Sequence, residues 1–582
     1  MAKKSGNKSD AHILKRMLKY VRPYKGAFWG TTILTIVAAG LEPLRPWLIQ
    51  YTIDEHVATA NIDGLLYMTI LMIVVLLLEG LVQFSRSYWA DWLGQYVIKD
   101  IRVDIYKKLV TYKLKYYDKN PIGSLVTRVV SDIETISEVF SKGIITIIGD
   151  FLKIIVILIV MFSINWKLSL ITLSTLPFLL IGAYMFKNAI KKAFNDVRTQ
   201  VSNLNTFVQE HITGINIVQI FNREKEEFES FKSVNKKHAD ANIRSIWAYS
   251  VFFPVVEFLV ACSLALLVWR GSLGVLDNTF TFGNLVAFIL YINMLFRPIR
   301  QIADNINVLQ MGVVSSRRVF RVMDENMVFD FKGDQIIEHC EGQVEFRNVN
   351  FAYEDENWVV QDLNLFVNPG ETMAIVGATG AGKTSIINLL GRFYEYQKGD
   401  IYIDGTNIKD IKVSSLRNHI SVVTQDIFLF SDTIYNNIVL GDTSISMEEV
   451  VEASKLVGLH DFIERLPGGY LYNVRERGGM LSVGQRQLIS FIRAYVQKPS
   501  ILILDEATSS IDNESERLIQ NAIEKITKNR TSIVIAHRLT TIQKADQIVV
   551  MEKGKVIEQG NHQSLMQDQG HYKKLYDLQF KN

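Results

Sequence analysis

Cysteine is almost missing from this sequence: there are two in 582 residues, Cys262 and Cys340. They share neither metal-ligand spacing nor a disulfide framework, which excludes a thiolate metal site and a small fold stapled by disulfides. The pair suits a reducing compartment or a protein without cysteine chemistry. Net charge is nearly missing as well, since 63 Lys and Arg against 60 Asp and Glu leave +3. That balance offers no overall pull toward nucleic acid, and no nucleic-acid partner is expected. A cleavable leader is not expected either, because the first apolar run begins near residue 27 and is too long for one. What charge there is lies unevenly, with a basic stretch, KKSGNKSDAHILKRMLKYVRPYK, at 3–25.

Long apolar runs, by contrast, are abundant. A helix that crosses a bilayer needs about 20 predominantly apolar residues. Six runs qualify, near 27–53, 65–90, 141–164, 166–187, 247–270 and 280–304. LLYMTILMIVVLLLEGLVQF at 65–84 is apolar around its whole circumference, which a soluble core helix does not need. The segments after the second and fourth runs are rich in Lys and Arg, whereas EHVATANIDG, SINW and SLGVLDNT carry almost none. Positive charge stays on the cytoplasmic side. The expectation is a multi-pass protein of the cell (cytoplasmic) membrane, in contact with its lipids, with both termini inside.

The two basic loops, 91–140 and 188–246, keep a helical period and break only near YYDKNPIGS and EHITGINIVQIFNREKEE. Antiparallel arms of ~25 residues would reach ~35 Å beyond the membrane, which makes sense if they touch something in the cytosol. Ionisable residues inside the runs are Glu42, Arg45, Glu79, Asp150, Lys153 and Glu257. Such residues are costly in a bilayer and are functional candidates. Asp150 and Lys153, three apart, are expected to neutralise each other.

Past residue 305 hydropathy falls, and from about 344 short β-branched runs alternate with helices, the pattern of an α/β domain over a mostly parallel sheet. The expected organisation is an N-terminal elbow over 1–25, a membrane domain over 26–310, a linker over 311–343 and a nucleotide-binding domain over 344–582. The fold class is multi-domain: an all-α six-helix transmembrane domain followed by an α/β P-loop NTPase domain.

MAIVGATGAGKTSIINLL reads strand, Gly-rich loop, helix, the context a phosphate loop requires. The candidates for holding ATP are Gly377, Thr379, Gly380, Ala381, Gly382, Lys383, Thr384 and Ser385. The glycines let the backbone wrap the phosphates, Lys383 supplies a point charge, and the Thr384 hydroxyl binds Mg²⁺. In SILILDEAT an apolar strand delivers Asp505 to its tip, suited to Mg²⁺ through a water. Glu506 follows, placed to polarise an attacking water or take its proton. A second strand, TSIVIAHRL, ends at His537, and parallel strand tips converge on one ligand. Gln425, in SVVTQDIFLF, could reach Mg²⁺ or water, and Tyr353, in VNFAYED, could stack on adenine. A turn Gln and a half-buried Tyr are the bland alternatives for these two.

Over essentially its whole length the chain resembles an ABC (ATP-binding cassette) half-transporter of the exporter type, the group that includes bacterial multidrug exporters and the lipid A flippase. The motifs that carry the resemblance appear in order: FAY, GATGAGKT, TQD, LSVGQ, LILDE, SSID and AHR. RERG resembles the exporter stretch that precedes the signature. The resemblance implies that two cassettes sandwich two ATPs, each phosphate loop facing the signature of the other chain. Ser482, Gly484 and Gln485 would then contact a partner's nucleotide, and Asp512 is carried over from SSID. The loop tips near Asn120–Gly123 and Gly214–Val218 would be coupling helices.

One residue departs from the family pattern LSGGQ: Val483 replaces its first glycine. A left-handed backbone there would be strained, whereas an extended or helical one tolerates valine. The expected partner is a second half-transporter, with a homodimer ahead of a heterodimer that has one impaired site. The expected function is ATP-driven export or flipping of amphipathic or lipophilic compounds, drugs or lipids, by alternating access. An importer on the same scaffold and an ATP-gated channel are the alternatives, and Glu506 with His537 argues for turnover rather than gating.

Overall fold

The computed structural model describes residues 10–328, 333–354, 357–505, 513–536 and 538–580. The chain divides into two compact units: residues 1–110 with 122–325, and residues 111–121 with 326–582.

The first unit is helical. In chain order it holds α1 (Asp10–Lys19), α2 (Lys25–Leu41), α3 (Leu44–Tyr51) and α4 (Ile62–Leu109). The short α5 (Leu114–Lys119) belongs to the second unit and is taken up with it. Beyond it come α6 (Ile122–Val129), α7 (Ser131–Glu138), α8 (Ile145–Ile164) and α9 (Trp166–Leu173). The unit closes with α10 (Leu176–Thr213), α11 (Ile215–Ile220), α12 (Glu224–Leu276) and α13 (Phe282–Asp324).

Among the described residues four helical stretches are long and apolar enough to cross a membrane: Arg22–Val57, Ile62–Leu109, Ile122–Ile164 and Pro254–Leu276. The other two expected runs fall on shorter apolar helices, Trp166–Leu179 and Phe282–Pro298. Side-chain caps start several of the helices. Asn61 accepts from the Gly64 N–H at 3.0 Å, and Thr281 from that of Asn284 at 3.1 Å, each satisfying a donor that the first turn leaves open. On α4, Leu66, Leu77, Leu81 and Phe84 are each exposed by more than 60%. So apolar an outer surface suits lipid rather than water.

Lys153 lies near enough for its charge to act on Asp150, as expected, but its ion pair is with another residue. Lys153 Nζ lies 2.6 Å from Glu42, the residue that caps the end of α2, while Asp150 accepts from Asn305 Nδ2 at 3.1 Å. Arg45 and Glu79 stand 3.6 Å apart. The arms are continuations of α4, α10 and α12, and each tip carries a short helix. In the second tip this is α11, whose Ile217 and Ile220 are 60% and 70% exposed. In the first tip it is α5, a few residues before the expected 120–123. At the chain's other end α13 runs on to Asp324, through part of the stretch expected as linker.

The second unit is α/β. Its strands are β1 (Val344–Phe351), β2 (Val360–Val367), β3 (Thr372–Gly377), β4 (Lys398–Ile403), β5 (Thr406–Asn407), β6 (Ile420–Val423), β7 (Ile501–Asp505), β8 (Thr531–Ile535), β9 (Gln547–Glu552) and β10 (Lys555–Gly560). An antiparallel sheet has the order β2-β1-β4-β5, and a six-stranded sheet the order β10-β9-β3-β8-β7-β6, parallel except for β10. Its helices are α14 (Lys383–Leu390), α15 (Val413–His419), α16 (Ile434–Val439), α17 (Met447–Val457), α18 (His460–Glu464), α19 (Val483–Val496), α20 (Asn513–Thr527), α21 (Leu539–Lys544), α22 (His562–Gln567) and α23 (His571–Phe580).

Alternation along the strands sorts two cores. Met373 and Ile375 of β3 pack with Ile386 and Leu389 of α14 and with the antiparallel sheet. Ala374 and Val376 face the other way, onto Leu488 and Ile492 of α19 and onto α20. The six-stranded sheet therefore has α14 on one face and α19 on the other.

Candidate nucleotide site

In a parallel sheet every strand ends at the same edge, so β3, β8, β7 and β6 deliver their C-terminal residues together. That edge gathers the loop after Gly377, the tip residue Asp505 and, one residue beyond Thr424, the exposed Gln425. Glu506, Asp512 and His537 lie outside the described residues.

The phosphate loop has the close approaches that only glycine permits. Gly382 has φ +97°, and a Cβ there would stand 2.7 Å from the Val359 carbonyl. At Gly377 a Cβ would come within 2.3 Å of the Met551 carbonyl. Thr379 and Gly380 are exposed, whereas Ala381 and Ser385 are packed inside.

Lys383 is buried, and its Nζ donates to the carbonyls of Gly377 at 2.6 Å and Ala378 at 3.0 Å. Burial pushes its pKa below the usual lysine range, and the Asp505 carboxylate pulls the other way. A desolvated ammonium held by two neutral carbonyls gains from exchanging them for phosphate oxygens. The N-terminus of α14 adds its dipole in the same direction. This cradle fits a polyphosphate. Exposed Thr384 and the strand-end Asp505 offer oxygen donors only, the set that suits Mg²⁺ held jointly by protein and phosphate. Among the described residues no group of three or more His, Cys, Asp or Glu is placed to hold a metal by itself.

Tyr353 is half-buried, and its hydroxyl lies 3.1 Å from Ser385 Oγ and 3.2 Å from Asn388 Nδ2. Two candidates 32 residues apart are thus joined. The tyrosine ring stacks edge-on with Phe351 at 4.7 Å and with Tyr394 at 4.9 Å. Tyr394 and Asn388 were not expected from the sequence. No local pattern marks them, because their significance lies in a partner folded onto them.

The signature stretch stands elsewhere. Ser482 caps α19: its hydroxyl accepts from the Gln485 N–H at 3.2 Å, and Gln485 Oε1 accepts from the Ser482 N–H at 2.9 Å. This is a reciprocal capping box. Ser482 and Val483 are exposed, and Gly484 is buried. Val483 is the first helical residue and is not among the positive-φ positions, so the valine carries no left-handed strain. Strain falls just upstream, in RERG, where Arg475 and Arg477 have φ +58° and +52°. Among the described residues no hydrogen bond or ion pair links residues 482–485 to residues 377–385. The helices that follow the two loops, α14 and α19, lie on opposite faces of one sheet.

Residues 28–299 match the family described as ABC transporter transmembrane region, and residues 360–509 match the one described as ABC transporter. The chain is 36% identical to the uncharacterized ABC transporter ATP-binding protein YknV of Bacillus subtilis (strain 168), over 97% of this chain and 94% of that one. It is 34% identical to the ATP-dependent lipid A-core flippase of Syntrophus aciditrophicus (strain SB), over 98% and 95%. It is 38% identical to a Staphylococcus aureus (strain bovine RF122 / ET3-1) protein named for multidrug export as an ATP-binding/permease protein, over 97% and 100%.

Proposed function

The chain belongs to the ABC transporter family of transport-coupled ATPases, and from that premise we propose that two copies clasp two ATPs head to tail and export drugs or lipids. The observation that carries this reading is that Lys383 and Ser482 stand at the starts of helices packed on opposite faces of the sheet, with no hydrogen bond between their loops and Ser482 exposed at its capped helix start. An exposed loop that makes no hydrogen bond to its own phosphate loop is free to complete another chain's.

In this reading Gly377 to Ser385 hold the triphosphate and Tyr353 stacks on the base. Ser482, Gly484 and Gln485 of each copy close the other's site, joined by Asp512. Thr384, Gln425 and, through a water, Asp505 would hold Mg²⁺, which would supply positive charge against the β- and γ-phosphates. Glu506 accepts the proton of the attacking water, with His537 at the γ-phosphate. The domain limits are 1–25, 26–310, 311–343 and 344–582, with six spans and with termini and cassettes on the cytoplasmic side of the cell membrane. The exposed apolar face of α11 seats on the second copy's cassette. Drugs and lipids enter because the relatives carry the names of multidrug export and of a lipid A-core flippase.

The test mixes Lys383→Ala chains with Ser482→Asp chains. Head-to-tail sites place both lesions in one site of the mixed dimer and leave the other whole, so about one ATP per dimer stays occluded. Sites built within single chains would lose both, and no occluded ATP in the mixed dimer sinks the reading. Transport is checked in proteoliposomes holding this one polypeptide, with a fluorescent lipid and a lipophilic dye as probes.

A further inference from the structure

Within the second unit the first arm's tip is seated beside the base end of the nucleotide site. Two backbone contacts fix the tip regardless of side chains: Tyr112 bridges to Val328, and the Lys113 N–H donates to the Met327 carbonyl at 2.9 Å. From that anchor α5 presents Asp118, whose Oδ2 accepts from the Tyr394 hydroxyl at 2.6 Å. Tyr394 is the same ring that stands edge-on against Tyr353 at 4.9 Å, with the planes 85° apart.

Phe351, fully buried, touches both rings and forms the floor beneath them. The Tyr353 hydroxyl is tied to α14 through Ser385 and Asn388. A continuous path therefore runs from the phosphate-loop helix through two tyrosines to the arm. A second link, Lys119 to Glu354 at 3.9 Å, lies between side chains that are 52% and 72% exposed and is weak by comparison.

We infer that Tyr394 and Asp118 are positioning residues through which the first arm reads whether a purine base is stacked on Tyr353. This rests on the reading of Tyr353 as the base-stacking ring. A close-packed ring cluster has no slack. A planar base pressed on one side of Tyr353 shifts or stiffens the ring against Tyr394, and the charge-assisted bond to Asp118 passes that to α5. Burial, then the adjacent Asp118 carboxylate, push the Tyr394 hydroxyl well above its ordinary pKa, so it remains a donor across the physiological range. The phosphates would be met by Lys383, the first residue of the same helix. The base would thus have its own route to the transport machinery.

The test uses the full-length protein in lipid nanodiscs, with Cys262 and Cys340 replaced and Asn120→Cys as the only thiol. Maleimide labelling is timed with saturating ATP or ribose 5-triphosphate, which lacks the base, in EDTA to prevent turnover. In the parent, ATP should change the labelling rate by about threefold or more relative to ribose triphosphate. Tyr394→Phe and Asp118→Asn should each erase that difference while ATP still binds within about threefold, and the double substitution should add nothing. A merely structural bond would change the rate equally with either ligand or with none. Equal responses to the two ligands in the parent, or a difference that survives Tyr394→Phe, overturns the inference and leaves the nucleotide site standing. Failure of the parent to bind either ligand removes both.

Discussion

Ser482 offers a way to separate folding from chemistry in one position. Its hydroxyl caps α19, whose Leu488, Ile489 and Phe491 lie in the core. Asp is as good an N-cap as Ser, and its charge at a helix N-terminus contributes roughly 0.3–1 kcal/mol in the favourable sense. Ser482→Asp should therefore leave the melting temperature within about 4 °C of wild type. Ser482→Ala removes the cap and should cost about 1 kcal/mol. In the shared site the order reverses. A carboxylate about 4 Å from a γ-phosphate charge is repelled by ~4 kcal/mol at an effective dielectric of 20, which is on the order of a thousandfold in rate. Alanine loses only a neutral hydrogen bond, ~1 kcal/mol or about tenfold at most. Phosphate release and thermal melts on the two purified variants give the comparison. Stable Ser482→Asp protein that hydrolyses ATP within about threefold of wild type would show that no phosphate meets this residue, and the two-chain site would be lost.

Three further outcomes follow from the same structure. Val483→Gly should leave ATPase within about twofold, since valine is unstrained there and glycine costs the helix only about 0.5–1 kcal/mol; a tenfold gain would mean the valine impairs the site. Glu506→Gln should bind ATP and accumulate closed dimers with almost no steady-state turnover, and retained ATPase would refute its role as the base. His211, at the end of α10, has Nδ1 2.8 Å from the Phe207 carbonyl and Nε2 2.8 Å from Glu227. Two acceptors favour the imidazolium, and the Phe207 carbonyl, then Glu227, raise its pKa. The sign is that of a raised folded-state value. The contribution is complete below about 6.5, the unfolded value, and is lost as pH rises through the higher folded one. Limited proteolysis of the second tip should accelerate across that window in wild type, and His211→Gln should flatten the dependence.

Much of the site could be read in the chain because its parts are local. The loop from Gly377 to Ser385 needs its glycines, lysine and hydroxyls in one short run, and β7 declares itself as apolar residues ending in Asp505. The spans were visible for a similar reason, since a bilayer demands length and apolarity from contiguous residues. The sequence had less to say where partners are distant. Lys153 has Asp150 three residues away, yet its ion pair is with Glu42, across a helix interface. Tyr394 and Asp118 are 276 residues apart and carry no shared pattern.

What the sequence by itself determined is therefore the chemistry available: a phosphate loop, a signature turn, a carboxylate at a strand tip, and helices that need lipid. Those follow from backbone geometry and from side-chain types within one or two turns of chain. Only the tertiary structure decided what meets what. Strand alternation sends α14 and α19 to opposite faces, and among the described residues no hydrogen bond joins the loop to the signature. Folding also places the α5 segment with the cassette rather than with the helices that flank it. Period-two side-chain alternation is written in every strand, but which helix packs on which face is a property of the assembled core.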